Sequence, residues 1–341
     1  MKNQLQEHDV KRRRLCLDAR MYRHSGIGRY ISHQIDLFRY NPDYELILLV
    51  PAGGIEKYTE LRQIEFTAPI YSLSEQFLYP FVIPVCDVFW SPHYNVPLLP
   101  VSAKKRWVTI HDLYHLRFSD QLGFFKKWYA KIMLSAACKK SHRIITVSAF
   151  SRKELVSFFD VGHKTEVIHN EVDQRFFEKN ETEEELKKTL NRYQIDFPYL
   201  LFVGNVKPHK NLMTLLKSFK RLMNDFPELK VVVAGKESGF KIEDRDTYLY
   251  LDQHPDLKQR VHFTGFIADD DLPSLYRGAK LFIFPSQYEG FGYPPLEALA
   301  SGTKVLCSNA GPMPEVCGDR VTYFDPNDDL ALSKLINNQL S

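Results

Sequence analysis

Nine residues, Glu289-Gly290-Phe291-Gly292-Tyr293-Pro294-Pro295-Leu296-Glu297, concentrate more chemistry than any other stretch of this 341-residue chain. They follow the apolar run Leu281-Phe282-Ile283-Phe284, which reads as a strand leading out through Ser286. Gly290 and Gly292 let the backbone turn tightly and come close to a ligand. Pro294 suits the first turn of a helix closed by Gly302. Amides without partners at such a helix start attract anions. The two prolines put Glu289 in the loop and Glu297 in the first helical turn, so both carboxylates border one crevice. Carboxylates beside phosphate-binding amides suit a ligand that carries both phosphates and hydroxyls. A plain Gly/Pro connection between core elements would require neither the two glutamates nor so aromatic a loop.

Other loops repeat the arrangement of a strand, a short motif and a helix. Gly204-Asn205-Val206-Lys207-Pro208-His209-Lys210-Asn211 follows the run Tyr199–Val203, and its cations with free amides could hold a diphosphate. The competing reading is a solvated basic loop. Gly26 and Gly28 open a helix after the first strand. The third glycine of a dinucleotide fingerprint is replaced by Ile31, and the second strand ends Leu49-Val50-Pro51 with no acid for a ribose, so a nicotinamide or flavin enzyme is not expected. The pair either admits a diphosphate or sugar to the backbone or serves tight strand-helix packing. No P-loop motif is present. His111 and Asp112 directly follow a strand, where the histidine could meet a substrate hydroxyl or act through its carbonyl. Asp244-Arg245-Asp246 and Asp269-Asp270-Asp271 could hold a divalent metal, but both precede helical stretches and capping is the expected role. No metal site is expected.

Short β-rich runs alternate with amphipathic stretches in both halves, which predicts parallel sheets with crossover helices. Strands are expected at Arg14–Asp18, Leu46–Val50, Val88–Trp90, Trp107–Ile110, Arg143–Val147 and Glu166–Ile168. A second series is expected at Tyr199–Val203, Lys230–Ala234, Val261–Thr264, Leu281–Phe284, Lys304–Cys307 and Val321–Phe324. The charged stretch Glu178–Arg192 reads as a linker with a solvated helix, capped at Thr182 with Glu185 three residues on. The expected organisation is a domain over 1–172, a linker over 173–197 and a second domain over 198–341, with an interdomain cleft where ligands bind beyond the strands' carboxyl ends.

Bulk properties narrow the function classes. At 44% hydrophobic the chain can bury a large core, and its length favours two domains. No apolar run is long enough to span a membrane, and the charged start lacks a signal-peptide core, so a cytoplasmic protein is expected. Cys16, Cys86, Cys138, Cys307 and Cys317 form no metal or redox pair motif, which fits a reducing compartment. Residues 1–170 carry 24 Lys and Arg against 16 Asp and Glu, and residues 171–341 carry 21 against 26. The basic half could face an anionic membrane or an acidic acceptor, or simply be solvated; no nucleic-acid partner is expected. Phe124-Phe125-Lys126-Lys127-Trp128-Tyr129-Ala130-Lys131-Ile132-Met133 combines helical apolar spacing with lysines and interfacial aromatics, and is the expected place of peripheral membrane contact.

Taken together the motifs resemble the family 4 retaining glycosyltransferases. The resemblance covers nearly the whole chain. It rests on Gly26-Ile27-Gly28-Arg29-Tyr30, Thr109-Ile110-His111-Asp112, Val147-Ser148-Ala149-Phe150-Ser151 and Val167-Ile168-His169-Asn170. It continues through Phe202-Val203-Gly204 with Pro208-His209-Lys210-Asn211, Phe263-Thr264-Gly265-Phe266, the Glu289-to-Glu297 segment and Gly311 with Pro314-Glu315.

It implies an α/β protein of the GT-B fold, two Rossmann-like doubly wound domains facing a cleft. It further implies transfer of a hexose from a nucleotide-sugar to an acceptor hydroxyl with retention, by same-face attack and without metal or other cofactor. The implied catalytic residues are His111 facing the donor sugar, Lys210 neutralising the leaving diphosphate and Glu289 holding sugar hydroxyls. Gly26, Gly28, Asn205, Lys207, His209, Phe266, Gly290, Phe291, Gly292 and Glu297 are implied to bind donor, Glu297 at the ribose.

Three departures stand out. Asn205 occupies a position where many relatives carry Arg, which shifts charge neutralisation to Lys210. Glu171 replaces a usual glycine. The chain stops soon after Leu330–Leu340, where relatives continue into a helix crossing back onto the first domain, so that helix is expected to be missing.

Likeness to the mannosyltransferase branch, around Arg20, Gly26 to Tyr30 and Pro208-His209-Lys210, makes GDP-mannose the leading donor. The implied acceptor is a glycan or lipid-linked glycan in polysaccharide or lipopolysaccharide biosynthesis, at the inner face of the membrane. A UDP-sugar-dependent transferase, an epimerase or hydrolase on the same fold, and an inactive sugar-binding scaffold are the other readings.

Overall fold

The computed structural model describes residues 12–118, 124–178, 181–235 and 244–341. The chain forms two compact units, Met1–Val147 with Ser151–His169, and Ser148–Phe150 with Asn170–Ser341. The first is built on β1 (Arg13–Asp18), β2 (Tyr44–Val50), β3 (Arg62–Glu65), β4 (Cys86–Ser91), β5 (Ala103–Ile110), β6 (Arg143–Thr146) and β7 (Thr165–Val167). They lie side by side in the order β3-β2-β1-β4-β5-β6-β7. The second contains β8 (Tyr199–Val203), β9 (Lys230–Ala234), β10 (Val261–Gly265), β11 (Leu281–Phe284), β12 (Val305–Ser308) and β13 (Thr322–Phe324), in the order β10-β9-β8-β11-β12-β13. Every described pairing in both sheets is parallel.

Parallel strands need crossovers, and the described helices supply them. In the first unit these are α1 (Ser25–Phe38), α2 (Leu73–Val82), α3 (Tyr114–Arg117), α4 (Phe124–Lys140) and α5 (Ala149–Phe158). In the second they are α6 (Glu183–Arg192), α7 (Leu212–Lys220), α8 (Arg245–Asp252), α9 (Pro255–Lys258), α10 (Leu272–Gly278), α11 (Tyr293–Ala300), α12 (Met313–Cys317) and α13 (Asp329–Leu340). Helices on both faces leave the central strands dry, so Leu15-Cys16-Leu17 and Leu281-Phe282-Ile283-Phe284 are continuous buried runs rather than alternating ones. β3 falls outside the expected strands. Its sequence, Arg-Gln-Ile-Glu, is mostly polar because it is an edge strand, and it is recruited by pairing with β2, Ile47 opposite Arg62.

The segment read as a linker belongs to the second unit. Its Phe176 and Ile195 are buried in one core cluster with Tyr199, Tyr276 and Phe282. The acidic helix within it begins with the expected reciprocal cap: Glu185 N–H donates to Thr182 Oγ1 at 3.2 Å and Thr182 N–H to Glu185 Oε2 at 2.8 Å. At the other end of the unit, Leu332 and Ile336 of α13 share a core cluster with Leu215 and Phe219 of α7. Helix α4 anchors itself in the first unit through Met133, Leu134 and Ala137. Its Trp128 is exposed, and the side chains of Phe124, Phe125 and Lys126 lie outside the described residues.

A charged network is buried past the carboxyl ends of β1 and β4. Arg20 Nη2 donates to Asp18 Oδ2 and to Glu75 Oε1, both at 2.6 Å, and its Nε donates to Asp18 Oδ1 at 2.8 Å. Asn95 Nδ2 donates to both Glu75 oxygens at 2.9 Å, and Tyr71 N–H donates to Glu75 Oε2 at 2.9 Å. Two carboxylates around one guanidinium leave an excess of negative charge, which hydrogen bonds from Asn95, Tyr71 and Tyr79 help carry. Arg20 outweighs the burial of Asp18 and holds its carboxyl below the usual range.

His93 stands beside this network, accepting the Asn95 N–H on Nδ1 at 3.3 Å. Burial pushes its imidazole down to about 4, although the Asp18 charge pulls the other way. An unfolded histidine takes up its proton near pH 6.5, whereas folded His93 stays neutral until about pH 4. Its contribution is therefore complete above the unfolded value and is lost as pH falls through that window. Denaturant midpoints measured between pH 7 and pH 4 are expected to fall with pH, and less steeply in His93→Asn. Equal slopes in the two proteins would place the effect elsewhere.

Candidate functional site

In the second unit, the loop after β8 and the loop after β11 are fastened together by one asparagine. Asn211 opens α7 with a left-handed backbone (φ 57°, ψ 41°), a conformation that asparagine tolerates better than most residues. Its Nδ2 donates to the carbonyls of Pro285 at 3.0 Å and Pro326 at 2.7 Å, and its Oδ1 accepts from Thr214 Oγ1 at 2.9 Å. Gln287 N–H adds a backbone bond to the His209 carbonyl at 2.8 Å. The 3-10 turn Pro208–Lys210 is thereby held against the start of the Glu289 segment.

The consequence is an ion pair between two of the residues singled out by chemistry. Lys210 Nζ donates to Glu289 Oε1 at 2.6 Å, with side chains only 20% and 14% exposed. The face of Phe284 lies 5.8 Å from the same ammonium. A pair this shielded interacts more strongly than a surface salt bridge but has given up much of its hydration. An incoming anion with several oxygens could therefore displace the single carboxylate from Lys210 and free that carboxylate for hydroxyl groups.

Around the pair, the backbone of Gly292 adopts φ 101°, a conformation in which any side chain is strained, and a Cβ there would also have to push aside the end of Met313. Gly290 presents its carbonyl to Ser148 Oγ at 2.7 Å. Glu315 accepts from the amides of Ala149 and Phe150 at 2.6 and 3.0 Å, within the same unit. Phe291 is buried and meets Tyr293 edge to face at 5.4 Å. Asn205 is exposed, Lys207 caps the 3-10 turn with extended backbone, and Phe266 offers an exposed ring at the end of β10.

Two features of the segment differ from the sequence reading. Helix α11 is capped by Gly292 and starts at Tyr293, so Pro294 and Pro295 are its second and third residues. Neither carries an N–H, so the first turn keeps the amides of Gly292 at the cap and Tyr293 at the first helical position. The same count places Glu297 in the second turn instead of the first. Its carboxylate is buried and accepts from Tyr276 Oη at 2.9 Å, an environment quite unlike that of Glu289. The aspartate clusters also separate. Asp244 caps α8 through Thr247, as expected. Asp270 instead pairs with Arg175 at 2.9 Å, and Asp271 accepts from Arg192 at 2.8 Å and Tyr193 at 2.6 Å.

The remaining candidates stand in the first unit. Gly26 has open space where a side chain would be, leaving its backbone approachable. Gly28 answers to packing, since a Cβ there would lie 2.2 Å from the Tyr22 carbonyl oxygen. His111 directs Nε2 at the Pro92 carbonyl at 2.8 Å, and because a carbonyl only accepts, the ring proton sits on Nε2. Burial lowers its pKa and keeps the ring neutral, with Tyr30 edge-on at 4.8 Å. The His111 carbonyl accepts from Ser151 Oγ at 2.8 Å. Asp112 Oδ1 accepts the Tyr114 N–H at 2.9 Å, at the first residue of α3.

Asn211 is the residue that motif reading passed over. Replacing it by Ala strands the buried Pro285 carbonyl, leaves that of Pro326 to Thr214 Oγ1 at 3.0 Å, and strains a non-glycine left-handed residue. Asn211→Ala is expected to lower stability by about 2–3 kcal/mol in denaturant titration. A change under about 0.5 kcal/mol would mean that the loops hold together without it.

Comparison with known proteins agrees with the fold. The sequence model of the family described as Glycosyl transferases group 1 matches residues 182–341, and that of Glycosyltransferase Family 4 matches residues 85–176. The chain is 30% identical to O-antigen chain mannosyltransferase B of Escherichia coli over 243 residues, which is 69% of this chain and 61% of that protein. It is 28% identical to O-antigen chain mannosyltransferase RfbU of Salmonella typhimurium, over 72% of this chain and 63% of the relative. The chain thus matches less than two thirds of the length of these relatives. Among solved structures, Anabaena HepE in complex with UDP and glucose superposes with a TM-score of 0.76 at 16% identity, covering 96% of this chain and 90% of that one. WaaG, a glycosyltransferase involved in lipopolysaccharide biosynthesis, gives 0.72 at 14% identity over the same shares. Two Rossmann-like parallel sheets, the fold likeness and both family matches lead to one assignment: this chain belongs to the family 4, group 1 glycosyltransferases of GT-B fold.

Proposed function

We propose that the protein is a retaining glycosyltransferase that moves a hexose, mannose from GDP-mannose as the leading choice, onto a glycan or lipid-linked glycan acceptor. The acceptor would belong to polysaccharide or lipopolysaccharide biosynthesis, as the O-antigen mannosyltransferases named above suggest by their likeness. The observation that carries the reading is the shielded Lys210–Glu289 pair, held beyond the ends of β8 and β11 beside the glycine turn at residues 290–292.

In this reading the donor diphosphate takes the Lys210 ammonium away from Glu289. Lys207, His209, Asn205 and the backbone of Gly290 to Gly292 add donors around it. Charge that develops on the leaving diphosphate is then met by a cation already in place, which is the largest electrostatic task of the reaction. Glu289, released from the pair, accepts from hydroxyls of the sugar. Glu297, its orientation fixed by Tyr276, is assigned to the ribose, and the exposed ring of Phe266 to the base. Gly26 and Gly28 are assigned to the diphosphate through their backbone, and His111 to a sugar hydroxyl as a neutral imidazole. The acceptor attacks from the face that the diphosphate leaves, and the departing phosphate takes the proton. No metal or other cofactor enters this scheme, so turnover is expected to survive EDTA.

The test is to incubate the protein with GDP-mannose, UDP-glucose or UDP-N-acetylglucosamine, with and without lipid extract, and follow nucleotide release. Release from GDP-mannose that depends on lipid extract is expected. Preference for a UDP-sugar would change the donor, release at full rate without acceptor would indicate hydrolysis, and no release under any condition would remove the enzyme. Lys210→Ala and Glu297→Ala are each expected to lower kcat/KM at least tenfold, about 1.4 kcal/mol or more. Unchanged kinetics in both would mean that the donor binds elsewhere.

A further inference from the structure

Three stretches far apart in the sequence meet at the glycine turn of the candidate site. Ser148 Oγ reaches the Gly290 carbonyl at 2.7 Å, and the Phe150 ring meets Tyr288 edge to face at 5.8 Å. A Cβ on Gly311 would lie 3.5 Å from the Glu289 nitrogen and 3.9 Å from the Phe150 ring, so residue 311 packs against both. All of these residues belong to the second unit. Ser148 is fully buried, and the two residues after it open α5 with amides that Glu315 accepts, on Oε1 at 2.6 Å and on Oε2 at 3.0 Å. Glu315 thereby fixes the backbone that carries Ser148, and a carboxylate suits a helix start.

The Ser148 bond has a definite direction. A carbonyl only accepts, so the one hydroxyl proton of Ser148 points at the Gly290 oxygen. The Gly290–Phe291 peptide is trans, and in a planar trans peptide the C=O and the N–H point to opposite sides. Fixing the carbonyl therefore aims the Phe291 N–H away from Ser148. This plane needs holding, because glycine at 290 lacks the Cβ that would restrict its rotation. A purely structural serine would brace the loop and nothing more. What singles out Ser148 is the peptide it holds, which belongs to the turn that the function proposed above sets against the donor diphosphate.

We propose that Ser148 is a positioning residue for the transfer step. It fixes the Gly290–Phe291 peptide so that the Phe291 N–H meets charge developing on the departing diphosphate, and Glu315 keeps Ser148 in place. This role rests on the diphosphate site proposed above and adds to it residues from outside both of its loops. A donor aligned in advance needs no reorganisation when the charge appears, so its loss slows the step more than it weakens binding.

The test follows nucleotide release from GDP-mannose, or from UDP-glucose or UDP-N-acetylglucosamine where the parent prefers one of them. Ser148→Ala is expected to lower kcat about tenfold, with KM moving by less than about twofold. Ser148→Thr, which keeps an O–H, should recover most of the rate. Glu315 is exposed, so Glu315→Gln should fold like the parent and lower kcat about threefold. Combined with Ser148→Ala it should add nothing further, because both act through one peptide. Thermal unfolding of each variant is measured alongside. Lower Tm with kcat unchanged would show that Ser148 only braces the loop and overturns the proposal, as does a raised KM with kcat intact or full additivity in the double variant. In the parent labelled with 15N-phenylalanine, the Phe291 amide resonance is expected to shift on saturation with GDP or UDP. Nucleotide binding without that shift overturns the proposal even where Ser148→Ala fails to fold. A parent that neither releases nucleotide nor binds GDP or UDP in calorimetry removes the function itself and this role with it, which differs from a working parent in which Ser148 is idle.

Discussion

One asparagine side chain sets the geometry on which the candidate site rests. Asn211 supplies donors to two carbonyls from distant parts of the chain while its own backbone takes the left-handed turn that starts α7. Sequence separates Lys210 from Glu289 by most of a domain; the pairing of β8 with β11 sets their loops side by side, and this clasp, with the Gln287-to-His209 backbone bond, fastens them where ammonium and carboxylate stand 2.6 Å apart. The resulting pair is poised rather than inert. Each partner has lost hydration, yet each keeps enough exposure for a ligand to offer something better. In the function proposed above, recognition lies in the exchange of one electrostatic partner for another.

The first unit solves a related problem differently. Its charges are taken inside and fully engaged: Arg20 between Asp18 and Glu75, with Tyr79 and Asn95 completing the network. A half-satisfied version of this cluster would cost more than a hydrophobic core of equal volume, so every member constrains the others. The practical result is rigidity at the carboxyl ends of β1 and β4, and a fixed orientation for α2.

Much of the architecture was legible in the sequence because strands covered on both faces leave a plain signature. Tyr199–Val203, Lys230–Ala234 and Leu281–Phe284 appear in the structure at the limits their apolar runs suggested. β3 left no such trace, since an edge strand can be polar. The Glu289–Glu297 segment stood out through its glycines, prolines and carboxylates. Its helix register did not, because the φ of Gly292 rather than either proline decides where the first turn begins. Nor could spacing reveal that Lys210 and Glu289 are partners, or that Asn211 is the reason. The exposed side of α2, with Leu73, Phe77 and Phe81, was hidden for the opposite cause: a helix rich in Leu, Phe, Tyr and Val reads as core, and only the packing of Tyr79 and Glu75 shows which side faces out.

The strand orders carry a further consequence for how the chain comes to exist at all. In each sheet the strand made first is an inner one: β1 pairs with β2 on one side and β4 on the other, and β8 pairs with β9 and β11. During synthesis the second side of β1 must stay unpaired until Cys86–Ser91 leave the ribosome, and that of β8 until Leu281–Phe284 do. Both waiting edges include runs that end up buried, Leu15-Cys16-Leu17 in β1 and Tyr199-Leu200-Leu201-Phe202 in β8. The nascent protein thus exposes, twice in succession, the kind of open edge that invites pairing with another chain, and its yield in a cell is tied to elongation rate and to chaperones that shield such edges.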